Sequence, residues 1–354
     1  MGYNLTKFPI IYILAVNVVL CVFVMNVAIT FADTASKLST STQSYWTTGK
    51  NMPTARGEFG AVLLKDKIYA IGGVDYTPGE GRKAVVEVYD IASDKWSNDV
   101  KPLPIRLDHF ASAVYNDTIY VVGGFLGKKV PTDRVFIYHP EKDEWHEGKA
   151  LPSPRGALTA QFINGILYAV GGLNSSQMPV DTNYAFDPKS NMWTEKTPMI
   201  TARQHMASAV LDGKLYVMGG RILGDGIPSE DILQTLTNYN RTEMYDPNSD
   251  TWTTRQPMLT KRTGFTAASS GGHIFVFGGQ EVHRISNTVE KYDPILQNWV
   301  FDIPMSTERF ALSSVSYNGQ IFVLGGQTVN GTDLVPSNLN EIFHTEINAK
   351  QINK

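Results

Sequence analysis

The sequence predicts an all-β chain in which one four-stranded unit occurs six times and the repeats close into a ring. Three observations carry this expectation. Glycine pairs recur at Gly72-Gly73, Gly123-Gly124, Gly171-Gly172, Gly219-Gly220, Gly278-Gly279 and Gly325-Gly326, at intervals of 51, 48, 48, 59 and 47 residues. Each of the six tryptophans, from Trp46 to Trp299, stands ten residues before an arginine: Arg56, Arg106, Arg155, Arg203, Arg262 or Arg309. An aromatic residue lies seven positions before five of those tryptophans, at Tyr89, Tyr138, Phe186, Tyr245 and Tyr292.

Within a unit, the first strand follows the arginine and opens on small residues, such as Gly60-Ala61, Ala111-Ser112 and Ala207-Ser208. Side chains of this size suit strands that converge on an axis. A two-residue turn comes next, at Asn116-Asp117, Asn164-Gly165, Asp212-Gly213, Gly271-Gly272 and Asn318-Gly319, with Lys65-Asp66 as the exception. Such pairs accept the positive φ of a type I′ hairpin. The second strand carries an aromatic and ends at the glycine pair, where the missing Cβ permits positive φ and close approach by a neighbouring ring. The third strand holds the spaced aromatic and the fourth the tryptophan. The sixth unit has Phe343 but no tryptophan after it, whereas Trp46 precedes the first unit with no strands ahead of it. The N-terminal strand is therefore expected to complete the sixth unit, which removes the open edges of a linear array.

The glycine pair, the aromatic and the tryptophan at these spacings resemble kelch repeats, and the resemblance covers residues 45–349. It implies a six-bladed kelch-type β-propeller closed by the N-terminal strand. It implies no single activity, because kelch propellers serve as adaptors, actin binders, sugar oxidases and sugar epimerases. Function has to be argued from a site.

Composition narrows the choice. Net charge is −3 with both signs mixed along the chain, and no basic stripe marks a nucleic-acid surface. The one cysteine, Cys21, precedes the repeats, so the repeats hold neither a disulfide nor a thiolate metal site. A galactose-oxidase-like copper radical site, which needs a cysteine crosslinked to tyrosine, is disfavoured on the same ground. Lys7 is the only charged residue before Asp33, and Pro9 to Phe31 is mostly apolar. Residues 1–32 read either as a signal peptide cleaved after Thr30-Phe31-Ala32 or as an uncleaved anchor tethered through residues 8–31. Both readings export the repeats to the extracellular space or cell envelope. Residues 33–44 form a Ser/Thr-rich linker and 350–354 a tail, and sequons at Asn116, Asn174, Asn240 and Asn330 agree with export.

Antiparallel order places the second-to-third loops and the unit-to-unit linkers on one face. From glycine pair to aromatic these loops run 16, 14, 14, 25, 13 and 17 residues, so this variable face is the expected binding face. In the longest loop Ile232, Leu233, Leu236 and Tyr239 follow a helical spacing after Ser229 or Asp231, which predicts a short helix over the channel mouth. The repeated arginines are expected to hydrogen-bond between blades. Site residues should instead differ from unit to unit while sharing one position. The slot seven residues before each hairpin turn holds Glu58, His109, Ala157, His205, Gly264 and Ala311.

Glu58, His109 and His205 form a candidate polar cluster on the axis, flanked by Asp108, Gln204, Thr263 and Phe310. Just after the glycine pairs stand Asp75, Phe125, Asn174, Arg221, Gln280 and Glu281, and Arg221 joins the candidate ligand-binding set. These residue types suit metal binding or proton shuttling. His109 and His205 nevertheless belong to non-adjacent blades, which sets them far apart for a zinc ion with bonds of about 2.0–2.1 Å. No metal, cofactor or catalytic set is assigned. The expected function is an exported binding module that presents the loop-rich face to a protein or glycan. The alternative is a carbohydrate-active enzyme of the sialic-acid-epimerase-like kelch type, which could work with Arg, Glu and His alone.

Overall fold

The computed structural model describes residues 43–223, 236–281, 284–331 and 333–345. Residues 44–345 form one compact unit built of six antiparallel four-stranded sheets. Blade 1 runs Gly60–Leu64, Lys67–Ile71, Val86–Asp90 and Lys95–Ser97 from the axis outward. Blades 2 to 5 repeat this order from inner strands Ala111–Tyr115, Thr159–Ile163, Ala207–Leu211 and Thr266–Ser270. In blade 6, Ser313–Tyr317, Gln320–Leu324 and Asn340–His344 are completed by Tyr45–Thr48 from the other end of the chain. Trp46 pairs with Phe343 in that register, as the missing sixth tryptophan predicts.

The core lies between blades rather than within them. Val62, Ile71 and Val88 of blade 1 cluster with Ile119, Val121 and Phe136 of blade 2, and Phe59 and Ile68 with Phe322 and Leu324 of blade 6. The glycine pairs allow this face-to-face approach. A Cβ on Gly72 would stand 3.0 Å from the Phe110 ring of the next blade, and one on Gly73, at φ 95°, only 2.6 Å from the Phe59 Cβ.

The repeated arginines reach the neighbouring blade through their backbone carbonyls, which accept from the second glycine of a pair in five cases, whereas the side chains that bond between blades in every repeat are the tryptophans. Each indole donates to a carbonyl where the preceding blade ends: Trp46 to Ile303, Trp96 to Lys50, Trp145 to Lys101, Trp193 to Lys149, Trp252 to Thr197 and Trp299 to Gln256. The arginines turn into the blade they precede. Arg56, Arg203, Arg262 and Arg309 are fully buried and pair with Glu87, Glu243, Glu290 and Glu341, all at the second position of a third strand. Blade 3 has Tyr184 there, and Arg155 donates to the hydroxyls of Thr182 and Tyr184. Blade 2 has Phe136, and Arg106 is exposed. The guanidinium is fully buried where a carboxylate waits for it, is held at 5% exposure by hydroxyls in blade 3, and stays outside in blade 2 where Phe136 offers no partner, because an unpaired buried charge is costly.

On the variable face several loops form short ribbons: Val74–Asp75 with Gly81–Arg82, Phe125–Leu126 with Val130–Pro131, and Gln327–Asn330 with Asp333–Pro336. The fourth loop departs from the expected helix. Leu236–Asn238 is a strand paired with Arg221–Leu223, which supplies its backbone partners without a helical turn. Residues 224–235, with the rest of that expectation, lie outside the described residues, as do residues 1–42 with the signal or anchor segment. Among the described residues no helix is long and apolar enough to cross a membrane.

Candidate functional site at the channel mouth

The slot residues share a backbone conformation that the sequence did not announce. Glu58, His109, Ala157, His205, Gly264 and Ala311 all lie in the left-handed region, with φ between 51° and 59°. Each donates its N–H to the carbonyl of the slot residue one blade back, Glu58 to Ala311, His109 to Glu58, and so on to Ala311 on Gly264, at 2.6–3.1 Å. The six bonds close a circle around the axis. A left-handed conformation costs a non-glycine residue about 1–2 kcal/mol, and here every one is compensated by a bond in the circle. Glycine is thus permitted but not demanded at the slot.

Above this ring opens a cavity of about 530 Å³, bounded by the loop-rich face. Glu58, His109 and His205 form its floor. His109 Nε2 is 3.4 Å from Glu58 Oε1, and the His109 and His205 rings meet edge to face at 4.9 Å between centroids. The expected separation of non-adjacent blades does not hold them apart, because blade 3 offers only Ala157 between them. The floor is also drier than a solvated mouth: the side chains of His109 and Glu58 are 7% and 15% exposed.

The flanking residues divide by role. Asp108 is buried behind the floor, accepting from His109 Nδ1 at 2.9 Å while Arg82 Nε stands 2.6 Å from its other oxygen. Gln204 accepts from His205 Nδ1 through Oε1 and lines the cavity beside it. Arg221 forms part of the wall, donating to Asn238 Oδ1 at 3.1 Å and Gln280 Oε1 at 2.5 Å. Phe125, Thr263, Gln280 and Phe310 also face the cavity. Asp75 and Asn174 instead accept from backbone N–H groups of their own loops, and Glu281 pairs with Arg284. Tyr76, Lys129, Leu173, Gln177 and Leu334 complete the wall, and sequence reasoning missed them. Leu173 follows its glycine pair as Phe125 and Arg221 follow theirs, so the repeat could have found it; the others come from loops without a repeat register.

Proton affinities diverge across the floor. Burial pushes the Glu58 carboxyl up against the opposing attraction of His109. Burial also disfavours charge on His109, but Glu58 and Asp108 outweigh it and hold the imidazole above its ordinary value. His205 is driven well below that value by burial, then by His109, Arg221 and Lys129. The floor therefore has one histidine held toward its charged form beside one held toward its neutral form, with Arg221 and Lys129 above them. It can take a polar or anionic group on the floor and apolar surface against Phe125 and Phe310.

The comparisons with known proteins agree with this architecture. The model of the KLHDC2/KLHL20/DRC7 Kelch-repeats domain matches residues 98–279, and the Kelch motif matches residues 55–98 and 261–301. The chain belongs to the kelch-repeat family. Curated relatives of this kelch propeller include Kelch-like protein 40 of Xenopus laevis, 32% identical over 33% of the chain and 19% of the relative. Beta-scruin of Limulus polyphemus is 31% identical over 32% of the chain and 13% of its own length. The matches thus span less than a fifth of each of these relatives. Among solved structures, YjhT superposes with a TM-score of 0.67 over 81% of the chain and 95% of its own, at 15% identity, which is a likeness of fold.

Proposed function

We propose that this kelch propeller is an exported binding module that takes a protein ligand on its loop-rich face, with one polar or anionic group of the ligand seated on the cavity floor. The observation that carries the reading is where the differences between blades collect. Residues that build the blades repeat around the ring, whereas Glu58, His109, His205, Arg221 and Lys129 do not, and they converge on one cavity. Surface loops on a rigid scaffold are where binding specificity concentrates. Protein binding is the usual use of kelch propellers, and the mixture of cations, amides and aromatic faces in the wall suits a peptide segment.

The test is binding of the purified chain to protein and glycan arrays, followed by Arg221→Ala and Lys129→Ala against any hit. Loss of affinity by tenfold or more with an unchanged melting temperature supports the reading. Hits confined to glycans, or protein hits indifferent to both substitutions, overturn it. Mass spectrometry of the N-terminus tests export: a chain starting near Asp33 or an intact apolar run in membranes is expected, and a soluble cytoplasmic chain beginning at Met1 refutes it.

A further inference from the structure

We propose that Glu58, His109 and His205 bind a divalent transition-metal ion of the zinc type at the floor of the channel mouth, with a fourth position open to the cavity. The inference concerns the floor alone and does not depend on which ligand the loop-rich face takes.

The donor set comes first. Two imidazoles and one carboxylate, with a vacant position for water or another ligand, are a recurrent protein environment for zinc. One candidate ligand atom from each residue lies within 4.8 Å of the other two. Two ligands bonded at about 2.0–2.1 Å on a tetrahedral centre stand roughly 3.4 Å apart, and His109 Nε2 to Glu58 Oε1 is already 3.4 Å. The widest separation, up to 4.8 Å, exceeds the tetrahedral spacing by little more than an ångström.

The second, independent observation is how the imidazoles are held. His109 donates through Nδ1 to Asp108 Oδ1, and His205 through Nδ1 to Gln204 Oε1. An oxygen without hydrogens can only accept, so each ring holds a proton on Nδ1 and Nε2 is the nitrogen left for a metal, which on His109 displaces any proton shared with Glu58. An outer carboxylate or carbonyl that fixes the tautomer in this way typically accompanies a metal-bound histidine. Asp108 is itself fixed by Arg82 and 1% exposed, so this outer partner cannot swing away. A plain Glu58–His109 ion pair would not require His205 to be oriented at all. The open side faces the 530 Å³ cavity, where Arg221 and Lys129 would meet an anionic group bound to the ion.

The slot also supplies its own folding control. Ala157 and Ala311 occupy it natively with φ of 54° and 58°, so alanine at 58, 109 or 205 is compatible with the backbone ring. The experiment is a Zn²⁺ competition titration against a chromophoric chelator, using the full chain kept soluble in detergent. One site per chain with micromolar or tighter affinity is expected. His109→Ala, His205→Ala and Glu58→Ala should each weaken it by about 100-fold or more, and Asp108→Asn by about 10–100-fold, as loss of an outer partner does. His139→Ala with His146→Ala, which removes the surface pair whose rings lie 5.4 Å apart, should change nothing. Retention of full affinity in His205→Ala, transfer of the loss to the surface pair, or no site tighter than millimolar in the unaltered chain would each overturn the proposal.

Discussion

Arg262→Ala tests how a single blade is held together. The Arg262 and Glu290 side chains are both 0% exposed, with Nη2 to Oε1 at 2.5 Å. The same guanidinium donates to the carbonyls of Gly278 and Thr288 at 2.9 and 3.0 Å and to Thr260 Oγ1 at 2.7 Å. Truncation leaves Glu290 buried with only the N–H groups of Leu259 and Thr260 and the Thr260 hydroxyl to satisfy it. Removing one partner of a buried pair costs about 3–5 kcal/mol, most of it the stranded charge. For a propeller of this length each kcal/mol moves the midpoint by roughly 2 °C, so a fall of about 6–10 °C is expected by calorimetry. Neutralising both partners, as Arg262→Met with Glu290→Gln, should recover part of that loss. Arg106→Ala, at the same repeat position but exposed, should stay within about 0.5 kcal/mol. Equal small shifts for Arg262→Ala and Arg106→Ala would refute the argument that the pairing, rather than the repeat itself, carries the stability.

Two further predictions concern closure and the glycines. A chain beginning at Met52 lacks Tyr45–Thr48, the outer strand of blade 6, and should aggregate or lose cooperative unfolding; a melt like that of residues 44–345 would refute closure. Gly73→Ala, at φ 95° with its Cβ 2.6 Å from Phe59, should abolish soluble expression or lower the melting temperature severely. Gly264→Ala should cost about 1–2 kcal/mol at most, since its nearest neighbour would be 3.5 Å away and alanine already fills the slot in blades 3 and 6. Equal tolerance at the two glycines, read from urea midpoints, would contradict this account.

The blades and their closure could be read from the order of residues alone. Glycine pairs, aromatics and tryptophans recur because every blade solves the same packing problem, so one solution is written six times and can be read as a period. The orphan Trp46 and the missing sixth tryptophan then fix which strand ends the ring. The sequence also singled out Glu58, His109 and His205, since they break a pattern at one shared position. What that position does emerges only once the blades are assembled. The left-handed ring depends on carbonyls in neighbouring blades, and glycine is not required in it, so no residue type marks it. The approach of His109 to His205 depends on the small Ala157 between them, a fact about three blades at once. The arginine pairs were half legible: the arginines repeat, but their glutamates are absent from blades 2 and 3, and only the folded contacts show that Arg155 finds hydroxyls instead while Arg106 stays exposed. The cavity wall was legible in part: Phe125, Arg221, Thr263, Gln280 and Phe310 stand at repeat positions the sequence picks out, whereas Tyr76, Lys129 and Gln177 come from loops of unequal length. Repetition records what every blade needs, whereas a site on the axis is made by what the blades do not share.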